Sequence, residues 1–364
     1  MKKIISIALA LLMVAVMLPV MAMADETLQS KIDAAPVGGT VKLDKEYTED
    51  IVINKELTID LNGNKLTNSA GDTITVNANG NLTITGNGTV DNVTHGRAAI
   101  FNNGTVTLNG GTYTRSAEVG TGKDPDSDNG NSWYTICNHG VMTVNAGATV
   151  KNKGTFSSVF ENGYYSYTEK SERVGHVEGT NNAAPKLTIN GGTFEGGKIT
   201  IKNDDGGILE INNGTFTNAW NRVVYNVNVA TINGGSFSCP ATNEIAVDSD
   251  KFNDTVNKGV MTITGGTFDG KVTKSNGTVT VSGGTFKKGV DESYIVDGKK
   301  LDANGNVVPE TITIIVPSEG GNTTTTPSTD NTKNPSTGAN DFVGVAAAMA
   351  VISVMGAAVV ARKK

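Results

Sequence analysis

Three groups of side chains in this sequence have the types and spacing to do chemistry. The first is Asp124, Asp126 and Asp128, ahead of Asn129 and Gly130. Carboxylates at alternate positions suit an oxygen-seeking cation such as Ca2+. The match to a calcium loop is incomplete: Gly130 comes one place late, and Thr135 stands where the bidentate Glu belongs. A solvated acidic loop explains the same residues. The second group is Asp204 and Asp205, set between Asn203 and Gly206-Gly207. Paired carboxylates can hold a metal or divide acid and base work on a sugar. His95-Gly96-Arg97 and Asn138-His139-Gly140 supply the other proton-transfer candidates. Asp-Asp-Gly-Gly is also a plain turn sequence. The third group is aromatic: Trp133, Tyr134, Phe160, Tyr164, Tyr165 and Tyr167, concentrated in a chain with 5% aromatic residues. Rigid amphipathic rings make contact area for sugars or protein partners. The alternative is that they pin inserted loops onto their scaffold. No zinc motif, phosphate loop or nucleophile elbow occurs.

What positions these groups is an internal repeat: a short alternating strand, a tight turn, then Thr or Ser before an aromatic. Lys186-Leu-Thr-Ile-Asn-Gly-Gly-Thr-Phe194, Val260-Met-Thr-Ile-Thr-Gly-Gly-Thr-Phe268 and Thr278-Val-Thr-Val-Ser-Gly-Gly-Thr-Phe286 show it plainly. Further copies end at Tyr113, Phe216 and Phe237, and looser ones start at Glu56, Asn81 and Val141. The strand centres fall at 58, 83, 107, 143, 188, 210, 231, 262 and 280, in steps of 25, 24, 36, 45, 22, 21, 31 and 18. Repeats of this length build solenoids. They are far too short for separate β-sandwich domains. The period of two puts Leu, Ile and Val on one face and Thr on the other. Stacking these units gives an all-β chain, a parallel β-helix of roughly a dozen coils and a rod near ~60 Å long at one strand spacing per coil. The long steps mark coils with inserted loops, where binding and catalysis reside on rigid scaffolds. Asn109, Asn145, Asn190, Asn212 and Asn233 follow their strands, and stacked Asn side chains can bond as a ladder. Asp25 to Ala34, with Leu28 and Ile32, is expected to cap one end, and Asp291 to Pro309 the other.

The ends of the chain have their own logic. Met1-Lys2-Lys3, the apolar run Ile4 to Val20 and the small residues Ala22 and Ala24 form a secretory signal over 1–24, with cleavage expected before Asp25. The mature β-helix with its caps would span 25–316, followed by a polar Thr/Ser/Pro/Gly-rich linker over 317–337. Residues 342–361 are apolar and long enough to span a membrane, and Arg362-Lys363-Lys364 follow. Just ahead stand Asn334, Pro335, Ser336, Thr337 and Gly338. Pentapeptide, apolar span and basic end in this order resemble the sorting signal of sortase-anchored cell-wall proteins. That family usually begins its pentapeptide with Leu, where this chain has Asn334. The resemblance implies that a sortase cysteine attacks the Thr337 carbonyl, joins Thr337 covalently to peptidoglycan and discards 338–364. The expected location is the wall surface of a Gram-positive-type bacterium.

The repeat region, opening with Val41 to Gly63, is similar to the pectate-lyase-like adhesive domains of bacterial surface proteins, which are right-handed parallel β-helices. This implies an adhesin-like module that contacts glycan or host protein. The alternative is a wall-tethered polysaccharide lyase or glycoside hydrolase using Asp204 and Asp205, and a further one is a structural surface component. Pectate lyases add an Arg base and polygalacturonases a His and a basic residue; here both histidine fragments precede the Asp pair, so neither set occurs in order.

The chain has 30 basic and 36 acidic residues. Removing Lys2, Lys3, Arg362, Lys363, Lys364 and Asp341 with the two end segments leaves 25 and 35, a net charge of −10. Such a surface repels nucleic acid. No cofactor is required by any motif, Ca2+ at the Asp124 group being the one candidate. Cys137 and Cys239 should fall some four coils apart, too far for a disulfide, and remain buried thiols.

Overall fold

In the computed structural model the repeat becomes a stack of coils, each contributing up to three short strands. The structure describes residues 26–94, 96–116, 133–154, 158–164, 185–218, 220–239, 245–250 and 259–311. The first sheet runs from Gly39–Lys42 to Thr278–Val281 in ten parallel strands; the second runs from Tyr47–Thr48 to Thr285–Phe286, also in ten. The third has nine, from Ile51–Ile53 to Lys271–Lys274. Each strand pairs only with its equivalents in the coils above and below, which makes the fold a parallel β-helix.

The repeat positions are the true register. Thr58, Thr83, Thr107, Thr143, Thr188, Glu210, Thr231, Thr262 and Thr280 are successive partners in the first sheet. One more coil precedes them, because Thr40 pairs with Thr58. There are ten coils rather than a dozen, since three coils absorb the long steps of 36, 45 and 31 residues. Nine steps at one strand spacing make a stack of roughly 43 Å, shorter than the sequence suggested.

Inside, each sheet lays down rows of like residues. The first contributes Leu57, Leu82, Val106, Met142, Leu187 and their equivalents, all buried. The second contributes Phe194, Phe216, Phe237, Phe268 and Phe286, whose ring centroids stand 4.8, 4.8, 4.9 and 4.8 Å apart with planes within 10°. That spacing is the strand spacing, so backbone pairing itself sets the stack. A centroid distance this long with near-parallel planes is the offset arrangement that the ring quadrupole favours.

Two Asn ladders run along the stack. The expected one is present on the outside: Asn145 Nδ2 donates to Asn109 Oδ1 at 2.7 Å, Asn190 to Asn145 at 3.0 Å, Asn212 to Asn190 at 2.9 Å and Asn233 to Asn212 at 2.8 Å. The second is buried where the third sheet turns into the first. Asn102, Asn138, Asn162, Asn203 and Asn226 each donate to the next, at 2.7, 2.7, 2.7 and 2.8 Å, and the row ends on Ser249 Oγ at 3.2 Å. Each also donates to a carbonyl at the start of a first-sheet strand, as Asn162 does to Ile208 O at 3.1 Å. The ladder thus satisfies its own amides at a buried corner and ties them to the starts of the first-sheet strands.

The opposite corner, from first sheet to second, depends on Gly-Gly. A side chain at Gly234 would place its Cβ 2.5 Å from Asn212 O, and Gly235 has φ of +104°. One glycine is needed for close approach and the other for its left-handed backbone.

The ends are closed as expected. Helix α1, Leu28–Ala34, is capped by Thr27 and buries Leu28 and Ile32 over the first coil. The Glu49 carboxylate accepts from Leu28 N at 2.8 Å and Gln29 N at 3.1 Å, satisfying the helix start. At the far end Ile295 bridges to Val281, and a hairpin of Lys299–Leu301 with Val307–Pro309 covers the last coil. Both cysteines are buried and neither is in a disulfide; they sit in coils four and eight. Among the described residues no helix is long and apolar enough to cross a membrane. The expected signal, the 317–337 linker, the pentapeptide Asn334 to Gly338 and the apolar span 342–361 lie outside the described residues.

Unfolding experiments should separate the two ladders. Asn162→Ala strands buried groups above and below it and should cost about 2–4 kcal/mol, whereas Asn190→Ala, on the solvent side, should cost under about 1 kcal/mol. Phe237→Ala should cost about 3–5 kcal/mol by opening a cavity in the ring stack. Denaturant titration of the three variants checks the order; equal losses at Asn162 and Asn190 would contradict it.

Candidate functional site

The outer face of the third sheet is where the chemically capable residues meet. In a strand with two-residue period the middle position points away from the coil interior. In this sheet that row reads Thr75, Phe101, Cys137, Glu161, Lys202, Tyr225, Asp248 and Thr273. An outward row should be wet, yet Cys137 is 0%, Glu161 1% and Asp248 1% exposed. The cover comes in part from residues that follow or precede these strands. Tyr134, with Ala98 and Cys137, forms a small apolar cluster outside the main core, packed by Phe101 and Trp133.

Around Glu161 the cluster is polar and tight. The His139 ring lies between Phe101 and Tyr164, at centroid distances of 4.9 and 5.0 Å. His139 Nε2 stands 3.6 Å from Glu161 Oε2, and the Glu161 carboxylate also lies against the Cys137 thiol. In the next coil Lys202 Nζ lies 2.5 Å from Asp204 Oδ2 and 3.4 Å from the Tyr134 hydroxyl. Burial works most strongly against the Lys202 ammonium, but the charge and hydrogen bond of Asp204, joined by the Glu161 charge, together hold the amine above its ordinary value. Burial pushes the Asp204 carboxyl up. The Cys137 thiol is driven well up, first by burial and then by the Glu161 charge.

Several expected residues are thus brought together, with changed roles. Asp204-Asp205-Gly206-Gly207 is a turn, Gly207 N donating to Asp204 O at 3.0 Å, as the sequence suggested. It is a buried turn: Asp204 is 5% and Asp205 1% exposed. Asp205 exchanges backbone hydrogen bonds with Tyr164 at 2.9 and 3.2 Å. Tyr134 and Tyr164 are 7% and 3% exposed, which fits rings that pin chain onto the rod rather than open contact surface. Trp133 is partly exposed. Arg97 is exposed and faces Asp72 at 3.9 Å. Asp124, Asp126, Asp128, His95, Tyr165 and Tyr167 lie outside the described residues. Among the described residues no group of three or more His, Cys, Asp or Glu is arranged to hold a metal ion.

Glu161 and Lys202 escaped the sequence reading because 41 residues separate them. The signal was available in the repeat: each stands one place before a ladder Asn, as Cys137 does. Trp220 was also missed. It is 54% exposed and, like Trp133, sits just ahead of a third-sheet strand.

His139 with Glu161 has the residue types of a proton relay, but both are shut away from solvent. The paired Asp204 and Lys202 are likewise enclosed, at 7% and 19% side-chain exposure. No known protein family, curated protein or solved structure matches the chain.

A thiol without access to its thiolate form does not react. Native protein should therefore resist iodoacetamide at Cys137 at mildly alkaline pH, and the denatured chain should be labelled fully. Rapid native labelling at Cys137, read by peptide mass spectrometry, would show that the outer row is open.

Proposed function

We propose that the chain is an adhesin-like rod at the bacterial surface, a right-handed parallel β-helix that contacts glycan or host protein. The proposal includes export on the 1–24 signal and sortase-dependent joining of Thr337 to peptidoglycan, with 317–337 as spacer. The observation that carries the binding reading is the placement of variation. The longest stretches between strands, 115–135, 163–185 and 250–259, all enter or leave the third sheet. Both tryptophans precede strands of that same sheet, Ile136–Asn138 and Arg222–Asn226. By contrast, the corner between first and second sheets stays short in every coil. The two corners that flank the third sheet therefore carry the extra chain, and Trp220 is exposed at one of them, which is the usual composition of a recognition surface on a rigid scaffold. The first sheet adds a flat outward row with Thr at nine of ten positions, Glu210 being the exception.

The enzymatic reading gains less support. Asp204 and Asp205 are buried and engaged with Lys202 and Tyr164. A general acid or base must reach the proton it moves.

The full chain, screened against a glycan array and immobilised extracellular-matrix proteins, should bind at least one. Trp220→Ala should weaken that binding about tenfold, roughly 1.4 kcal/mol, without changing thermal stability. No binding in either screen would leave a purely structural role. Polysaccharides shortened by the wild type but not by Asp204→Ala or Asp205→Ala would establish the enzyme instead. For anchoring, Thr337→Ala should move the chain from the covalent wall fraction to the membrane and medium. Unchanged covalent attachment would refute the assignment of Thr337.

A further inference from the structure

Between the coils that turn on Gly191-Gly192 and Gly234-Gly235, the corner from first to second sheet reads Asn213-Gly214. Asn213 takes the place of the first glycine and is exposed. Gly214 keeps the second: its φ is +137°, and a Cβ there would lie 2.9 Å from the Phe216 ring. The fold thus demands a glycine directly after this Asn. The Asn213 side chain is folded onto its own backbone, where Gly214 N donates to Asn213 Oδ1 at 2.8 Å. Cγ lies one C=O bond of about 1.2 Å beyond Oδ1, so the nitrogen stands within about 4 Å of it. The Asn–Gly pairs of the adjacent coils differ, because Asn190 and Asn233 are rungs of the outer ladder. Asn190 Nδ2 donates to Asn145 and its Oδ1 accepts from Asn212. Asn233 Nδ2 donates to Asn212, and its Oδ1 accepts from Thr264 Oγ1 at 2.8 Å.

We propose that Asn213 is a site of spontaneous covalent modification, where the side chain closes onto Gly214 N as a succinimide and reopens as aspartate or isoaspartate. Hydroxide removes the Gly214 amide proton and becomes water. The nitrogen attacks Cγ, forming the new C–N bond. The Cγ–Nδ2 bond breaks, and Nδ2 leaves as ammonia with a proton from water, which regenerates hydroxide. A second water opens the ring at either of its two carbonyls. The sum is one water consumed and one ammonia released, with no oxidant, metal or cofactor. Holding the nitrogen beside Cγ in advance supplies the entropic part of the barrier. The missing Cβ at Gly214 leaves the attacking nitrogen unhindered. Ring closure at Asn190 or Asn233 would instead break hydrogen bonds at both ends of the side-chain amide. With age the rod therefore gains a carboxylate between Gly191 and Gly234. The isoaspartate form also inserts the side-chain methylene into the main chain at a crowded corner.

Peptide mass spectrometry on the full chain tests the assignment. Native protein is held in mildly alkaline buffer made with heavy-oxygen water, then digested with trypsin at lower pH. Cleavage after Lys186, Lys198, Lys202, Arg222 and Lys251 puts Asn190, Asn213 and Asn233 in separate peptides. The peptide from Asn203 to Arg222 should exchange a side-chain nitrogen for heavy oxygen, with fragment ions placing the change at 213. Asn213 should convert about tenfold faster than Asn190 and Asn233 in native protein, and the three should converge in denaturant. Equal native rates overturn the proposal, and so does a preference for Asn213 that persists unchanged in the denatured chain. Neither result needs a variant to fold. Asn212→Ala releases Asn190 Oδ1 and Asn233 Nδ2 and should speed conversion at both. Unchanged rates there would overturn the protection assigned to the ladder.

Discussion

The distance between hydrogen-bonded parallel strands governs this molecule. Every coil is pinned to the next at about 4.8 Å, so each side chain meets its own equivalent above and below. That repetition turns ordinary residues into continuous structures. Phe becomes a column of offset rings, Asn a chain of amides that polarise one another, and Thr a flat outward row. It also punishes error. A charged or oversized residue at one rung affects both neighbours, and at the Gly-Gly corner a single Cβ meets the backbone of the coil below.

The same rule explains why a polar row can be buried. Asn has one donor group and one acceptor group on a short side chain, so a column of Asn satisfies itself and still reaches the next backbone carbonyl. Asp or Glu in such a column would stack like charges with no donors. The carboxylates of the third sheet accordingly lie on its outer side, where Lys202 and Arg222 reach them. Arg222 meets Asp248 at 3.1 Å, and Thr273 and Ser275 complete the Asp248 carboxylate. Glu161 is faced by His139 at 3.6 Å and lies against the Cys137 thiol.

Much of the fold was legible because the repeat is written in strands of the first sheet. Leu187-Thr188-Ile189 and its relatives state the inward and outward faces, and their spacing gives the register residue for residue. Leu28 with Ile32 and the Asp291 to Pro309 segment were likewise readable as caps, since a solenoid must end somewhere. The third sheet was harder. Its strands, such as Ile136–Asn138 and Phe160–Asn162, are three residues long and separated by stretches of unequal length, so no period links them. The buried ladder and the pairing of Glu161 with Lys202 emerge only once the first sheet has aligned the coils. The burial of Tyr134, Tyr164 and Asp205 was not readable either, because exposure on an outer face depends on which side chains neighbouring coils bring against it.

The corners of the coil divide the labour of change. Where the first sheet turns into the second, backbone crowds backbone and the chain length is fixed. Where the chain enters and leaves the third sheet, anything from a few residues to more than twenty intervenes without disturbing the stack. Reach and surface identity are therefore independent variables in this architecture. Duplicating a coil would lengthen the rod by one increment and leave every exposed segment unaltered. Rewriting a connection at either tolerant corner would alter what the rod presents and leave its length untouched.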